Sequence, residues 1–202
     1  MRVVLPLVGR GALPHVVLEG RSLLQHALAS LPTTGSGAIV VAEGATSALE
    51  DLPHHVRVVG IDELRQECEG QAVVVHDPLC PLTSSAFMAT MLERFVRDQE
   101  YAAAAHRPVT DTIKRVHEGC VTETIDREGL GIVTSPVLLS AQAVADLADD
   151  LACADLADLV ERVRRHGPVT LVKAPSMGRR VDNESAVRLL ECVAEMSREL
   201  RA

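Results

Sequence analysis

At 202 residues and 21.6 kDa the chain stays below the size at which one hydrophobic core stops growing, so a single domain, 1–202, is expected. A net charge of -8 and a pI near 5.5 exclude a nucleic-acid binder that works by neutralising phosphates, since such proteins concentrate Lys and Arg. Aromatic residues make up 1% of the sequence, which removes the stacking platforms of a single-strand binder and leaves a free nucleotide, held by a few local cations, as the open case.

In chain order, residues 3–8 form the first apolar run, Val3-Val4-Leu5-Pro6-Leu7-Val8. It is too short for a secretory leader or a membrane span and reads as a buried strand, so no membrane association is expected. Helical spacing follows over 21–30. Short apolar runs recur at 38–41, 56–59, 72–76, 102–105 and 169–173, and helical spacing recurs at 84–99, 140–150, 155–166 and 183–201. Strands that are apolar almost throughout are strands covered on both faces. Their alternation with helices predicts an α/β fold with a doubly wound, mainly parallel, Rossmann-like sheet.

Helix ends carry their own signals. Thr83-Ser84-Ser85 can cap the helix that follows, and Asp182-Asn183 can cap the last one. His166-Gly167-Pro168 predicts a sharp stop, because Gly accepts left-handed torsions and Pro lacks an amide donor. Residues 141–158 read as two amphipathic helices separated near Cys153.

Residues 110–127 break the rhythm. Their β-branched positions nearly alternate around Glu118-Gly119, which predicts a β-hairpin arm, about 108–130, protruding from the main sheet. Two strands alone cannot bury both faces, and a second copy in a homodimer is the simplest cover.

The five cysteines (Cys68, Cys80, Cys120, Cys153, Cys192) stand singly, without the paired spacing of a zinc site. They read as small buried hydrophobes and free thiols, which points to a cytoplasmic location. His54 and His55 sit in a polar loop and read as solvent-exposed.

Open α/β sheets bind ligands beyond the carboxyl ends of their strands. The best such place is His76-Asp77-Pro78-Leu79-Cys80-Pro81, where a carboxylate ends a strand in a Pro-flanked turn. That position suits Mg²⁺ bridging triphosphate oxygens, and it equally suits an Asp that only caps its own turn.

This phrase resembles the His-Asp-Ala-Ala-Arg-Pro motif of the methylerythritol-phosphate cytidylyltransferases. Arg107-Pro108-Val109-Thr110-Asp111-Thr112-Ile113-Lys114 is similar to that family's Pro-Val-x-Asp-Thr-Ile-Lys signature, and Thr124-Ile125-Asp126-Arg127-Glu128-Gly129-Leu130 to its Thr-x-Asp-Arg-x-x-Leu. Thr134-Ser135-Pro136 stands where the family has Thr-Pro-Gln. The resemblance implies a nucleotidyltransferase fold, with Asp77 as metal ligand and Thr112 and Arg127 as holders of the acceptor's phosphate. It implies that Asp111 belongs with these substrate-binding positions. It also implies an arm exchanged across a homodimer.

Three departures matter. The family's glycine-rich phosphate loop is shortened here to Gly9-Arg10-Gly11, the family lysine falls at His15, and Met177 falls at a second metal-binding aspartate. Arg10 and Arg21 are the cations that could offset the loss at His15. Arg180 stands at a family lysine, and Asp182 lies near enough in sequence to offer a substitute carboxylate. Cys80 replaces an arginine, and the acidic stretch around Arg65 replaces a nucleotide-contacting segment, leaving Arg65 as a solvated helix residue.

The resemblance thus implies an enzyme that transfers a nucleotidyl group from CTP, or another nucleoside triphosphate, to a polyol or sugar phosphate with release of pyrophosphate. Arg10, His15, Lys114 and Arg180 are the candidate catalytic residues; Gly9, Gly11, Asp111, Thr112 and Arg127 are the candidate substrate-binding ones. The alternative is a catalytically impaired paralogue that binds or regulates.

Overall fold

The computed structural model describes residues 1–31, 36–42, 52–147, 151 and 155–199. In chain order the elements are β1 (Arg2–Pro6), a 3-10 turn (Leu13–His15), β2 (Val17–Leu18), β3 (Arg21–Ser22), α1 (Leu23–Ala29), β4 (Ser36–Val41), β5 (Val56–Val59), α2 (Ile61–Cys68), β6 (Val73–Val75), α3 (Ser85–Arg97), β7 (Ala102–Pro108), β8 (Ile113–His117), β9 (Cys120–Ile125), β10 (Gly131–Leu139), α4 (Ala141–Leu147), α5 (Leu156–Arg164), β11 (Val169–Lys173) and α6 (Glu184–Glu199).

The main sheet runs β11-β7-β10-β6-β1-β4-β5. Its pairings are parallel except for β10, which lies antiparallel between β6 and β7, so the mainly parallel α/β sheet is as the sequence predicts. Alternate residues of each strand feed two cores. Val4, Val75, Ala104 and Leu139 pack with Leu64, Leu147 and Leu159 on one face, while Leu5, Val74, Ala103 and Leu138 pack with Leu24, Met88 and Phe95 on the other. Both faces are covered, which is why these strands read as continuous apolar runs.

A third cluster unites Leu18, Leu23, Leu79, Val181 and Leu190. It ties the turn after β6 to the segment before α6.

β10 is absent from the predicted strands. Its apolar run is interrupted by Ser135-Pro136, and a proline demotes a run that otherwise reads as a central strand. The sheet accommodates it with an irregularity: the register against β7 slips between Thr134 and Val137, so Ser135 and Pro136 stand out of the ladder. The slip places Ser135 over the end of β6, with consequences described below. α2 is a further element that the strand-and-helix spacing did not supply; only Arg65 was placed on a helix there.

The caps at Ser84 and Asn183 form, accepting from the amides of Phe87 (3.2 Å) and Ala186 (2.8 Å). Gly167 corrects the expectation of a left-handed torsion, because it is not among the residues with positive φ. Its role is steric: a Cβ there would lie 2.5 Å from the ring of Tyr101, whose hydroxyl is held by Asp146 at 2.9 Å. The helix break expected near Cys153 lies outside the described residues.

β8 and β9 form a separate antiparallel pair closed by Glu118 and Gly119, both with positive φ (51° and 79°) as a two-residue hairpin turn requires. Most side chains of this pair are exposed. Among the described residues no helix is long and apolar enough to cross a membrane.

Candidate functional site

The carboxyl ends of β1 and β6 lie side by side, and the chain leaves each in a tight turn. After β1, Gly9 and Gly11 take positive φ (71° and 54°), which folds the short loop so that Arg10 between them points inward. After β6, the Asp77 carbonyl accepts from Cys80 N at 2.9 Å, closing the turn that the two prolines stiffen.

Arg10 and Asp77 meet there with fully buried side chains. Arg10 Nε donates to Asp77 Oδ1 at 2.8 Å, and Arg180 Nε, from the segment before α6, donates to Asp77 Oδ2 at 3.1 Å. Leu79 N also donates to Oδ1, at 3.0 Å, so Asp77 does cap its own turn. Burial alone raises the Asp77 pKa. The hydrogen bond and charge of Arg10, the Leu79 amide and the charge of Arg180 outweigh it and hold the carboxyl below its ordinary range.

His76, one residue earlier, is wholly buried and neutral: burial lowers its pKa to about 4 against a smaller opposing effect from Asp77. Its tautomer follows from its partners. Ser30 Oγ donates to Ala27 O (2.8 Å), so it accepts from His76 Nε2 (3.1 Å); His76 Nδ1 then accepts from Ser135 Oγ (2.5 Å), which in turn accepts from Asp77 N (3.0 Å). Every polar atom of the imidazole is satisfied, and the chain of bonds runs from α1 through β6 to the slipped residue of β10. Cys80 extends it. Its thiol, pushed up to about 12 chiefly by burial, lies 3.3 Å from Thr134 Oγ1, which donates to Gly178 O at 2.5 Å. A residue standing where the resemblance has an arginine is therefore an inert interior group.

The structure thus brings Arg10, Asp77 and Arg180 together. His15 ends the 3-10 turn, half-buried, and Arg21 is exposed on β3. Asp111, Thr112, Lys114 and Arg127 lie on or beside the hairpin, where Lys114 donates to Thr124 Oγ1 at 2.6 Å and Arg127 to the Thr110 carbonyl. His54 and His55 are exposed, as is Arg65. Arg180 also borders a cavity of about 370 Å³ with Arg179, Asp155, Asp182 and the start of β10.

The residues present do not fit Mg²⁺ at Asp77. Both carboxylate oxygens are engaged by guanidinium groups, and a divalent cation needs several free oxygen ligands. Met177 packs against the third apolar cluster and offers none, while Asp182 is exposed and accepts from its neighbour Asn183 at 2.8 Å. Among the described residues no group of three or more His, Cys, Asp or Glu is placed to hold a metal. The expected ligand has instead become the anion of an internal ion-pair cluster.

Sequence reasoning gave no role to Ser30, Ser135 or Arg179. Ser135 was visible only as part of a motif, and Ser30 lies 46 residues from His76 with nothing local to mark it.

Residues 12–181 match the family described as IspD: 2-C-methyl-D-erythritol 4-phosphate cytidylyltransferase. The bifunctional enzyme IspD/IspF of Anaeromyxobacter dehalogenans (strain 2CP-C) is 30% identical over 205 residues, covering 89% of this chain and 52% of that protein. The chain thus spans about half the length of that relative. The 2-C-methyl-D-erythritol 4-phosphate cytidylyltransferase of Halorhodospira halophila (strain DSM 244 / SL1) is 37% identical over 94 residues, 44% of this chain and 38% of that one. The crystal structure of the same-named protein from Thermus thermophilus superposes with a TM-score of 0.72 at 22% identity, over 96% of this chain and 98% of that one, a likeness of fold. With most of its length inside the family match, the chain belongs to the 2-C-methyl-D-erythritol 4-phosphate cytidylyltransferase family.

Proposed function

We propose that this chain transfers a cytidylyl group from CTP to methylerythritol phosphate. An oxygen of the acceptor's phosphate attacks the α-phosphorus in line, the bond to the β-phosphate breaks, and pyrophosphate leaves. The observation that carries the reading is the cationic cluster at the carboxyl ends of β1 and β6: two guanidinium groups share one carboxylate, which leaves one net positive charge beside a cavity. In-line transfer is chiefly positioning and charge stabilisation, so fixed cations are the machinery it needs.

In this reading Arg10 and Arg180 face the phosphate chain, with Gly9 and Gly11 letting the loop backbone approach it, and His15 donates a hydrogen bond. Asp111, Thr112, Lys114 and Arg127 hold the acceptor from the hairpin. No step is assigned to a metal.

The test is pyrophosphate release in Mg²⁺-containing buffer. Release should require both CTP and methylerythritol phosphate, and Arg180→Ala should lower kcat/KM by about tenfold or more. CTP bound with no release would instead select the impaired paralogue, which the engaged Asp77 and the Met177 substitution favour.

The reading extends to a cytoplasmic homodimer joined through the hairpins. Val116 and Val121 pair directly across β8 and β9 and are 58% and 64% exposed, an apolar spot that a second copy would cover. Sedimentation should give the mass of two chains, and the double change Val116→Asp with Val121→Asp should give one. A wild-type monomer at working concentration would remove the dimer.

A further inference from the structure

We propose that Arg10 and Arg180 form a seat for a polyphosphate chain that works without a divalent cation, the guanidinium groups standing where a metal ion would otherwise neutralise the phosphates. The proposal rests on the site assignment above and adds what that site requires.

Three observations carry it. First, Arg10 is bonded at only two of its three nitrogens. Nε goes to Asp77 and Nη1 to Val8 O at 2.8 Å, while Nη2 is buried with no partner. A buried guanidinium nitrogen left unpaired is a costly exception in folded proteins and calls for an acceptor. Second, Arg180 spends only Nε on Asp77, keeps 28% of its side chain exposed, and borders the cavity beside β10 together with Arg179. The fork of an arginine is matched to phosphate oxygens, and both residues have part of it left over. Third, the cluster already carries one net positive charge. A divalent cation would have to displace one guanidinium from Asp77 and then sit beside both, whereas an anion meets attraction from the start.

The cavity volume of about 370 Å³ is in the range of small-ligand sites, and both carboxylates on its border are already engaged: Asp155 accepts from Ala157 N at 2.6 Å and its charge acts on Arg180, while Asp182 accepts from Asn183 at 2.8 Å. The seat is therefore selective for a phosphate chain over a bare metal ion.

Calorimetry on the full chain tests this with two probes, CTP and inorganic tripolyphosphate, each in excess EDTA and in excess Mg²⁺. Both probes should bind in EDTA with a Kd within about threefold of the Mg²⁺ value, and Arg180→Ala, checked for folding by circular dichroism, should weaken each by about tenfold. Mg²⁺ alone should give no binding heat.

An affinity that rises about tenfold or more with Mg²⁺ for either probe overturns the proposal, as does binding of neither, or of CTP alone. The comparison of buffers uses the unmodified chain, so it stands even if the variant misfolds. Metal-free binding of both probes without pyrophosphate release would end the transfer reading and leave the seat standing. Metal-dependent binding with release would do the reverse.

Discussion

Asp77→Ala is expected to lower folding stability by about 3–5 kcal/mol, the cost typical of removing one partner from a buried ion pair. The side chains of Arg10 and Asp77 are both fully buried, so truncation strands a guanidinium cation in the interior. Urea unfolding should show the midpoint falling with the slope unchanged. A double-mutant cycle gives the sharper version. Arg10→Met alone leaves Asp77 with Arg180 and the Leu79 amide, so it should be tolerated better than Asp77→Ala. Combining the two changes should recover part of the loss, because the stranded charge is gone. The opposite role predicts the opposite sign. A carboxylate reserved for a metal is a liability in the metal-free chain, and its removal would leave stability unchanged or raise it. A loss below about 1 kcal/mol in EDTA would therefore return Asp77 to the role of metal ligand.

Much of this fold was written locally. Strands buried on both faces announce themselves as apolar runs, and β1, β4, β6 and β7 were visible that way, while the edge strands β5 and β11, only partly buried, were legible from their β-branched residues. β10 was not, because its purpose requires the features that hide it. Ser135 must leave the ladder to reach His76, and the residues that permit this break the apolar pattern. Gly167 shows the same limit in reverse. The residue was marked correctly as lying at a stop, yet what requires a glycine there is the Tyr101 ring 66 residues away, which no local rule can see.

The site was legible as a set of residues and misread as a chemistry. Sequence placed Arg10, Asp77 and Arg180 as phosphate-facing or metal-binding positions, and the fold does gather these three. What it could not give was their mutual distance. Two arginines at 2.8 and 3.1 Å from one carboxylate change it from a ligand for a cation into a partner already engaged. Counting charges along a chain does not reveal which of them cancel. The departures differ in setting: Cys80 puts an inert buried group beside Asp77 and Arg180, and Met177 puts an apolar one against the third cluster.

The second large effect belongs to His76. Its pKa falls from 6.5 in an unfolded chain to about 4 in the fold, so the unfolded state takes up a proton that the native state refuses. Between those values the unfolded chain binds more protons, and stability must therefore decrease as pH decreases. A displacement from 6.5 to about 4 amounts to on the order of 3 kcal/mol, all of it present above pH 6.5 and lost by about pH 4. Asp77 acts in a separate window. Its carboxyl is held below the ordinary value of 3.8, so its contribution is lost only at lower pH. The exposed histidines blur the raw profile, and His76→Gln supplies the reference. Glutamine retains a donor and an acceptor for Ser30 and Ser135 but does not titrate, so the difference between the two proteins isolates this one group. The wild-type advantage should shrink steadily from pH 6.5 to 4. A difference that stays constant across that range would mean the imidazole is charged in the fold, and the tautomer assigned from Ser30 and Ser135 would be wrong. Protonation at Nδ1 removes the acceptor for the Ser135 hydroxyl proton, at the same oxygen that accepts from Asp77 N.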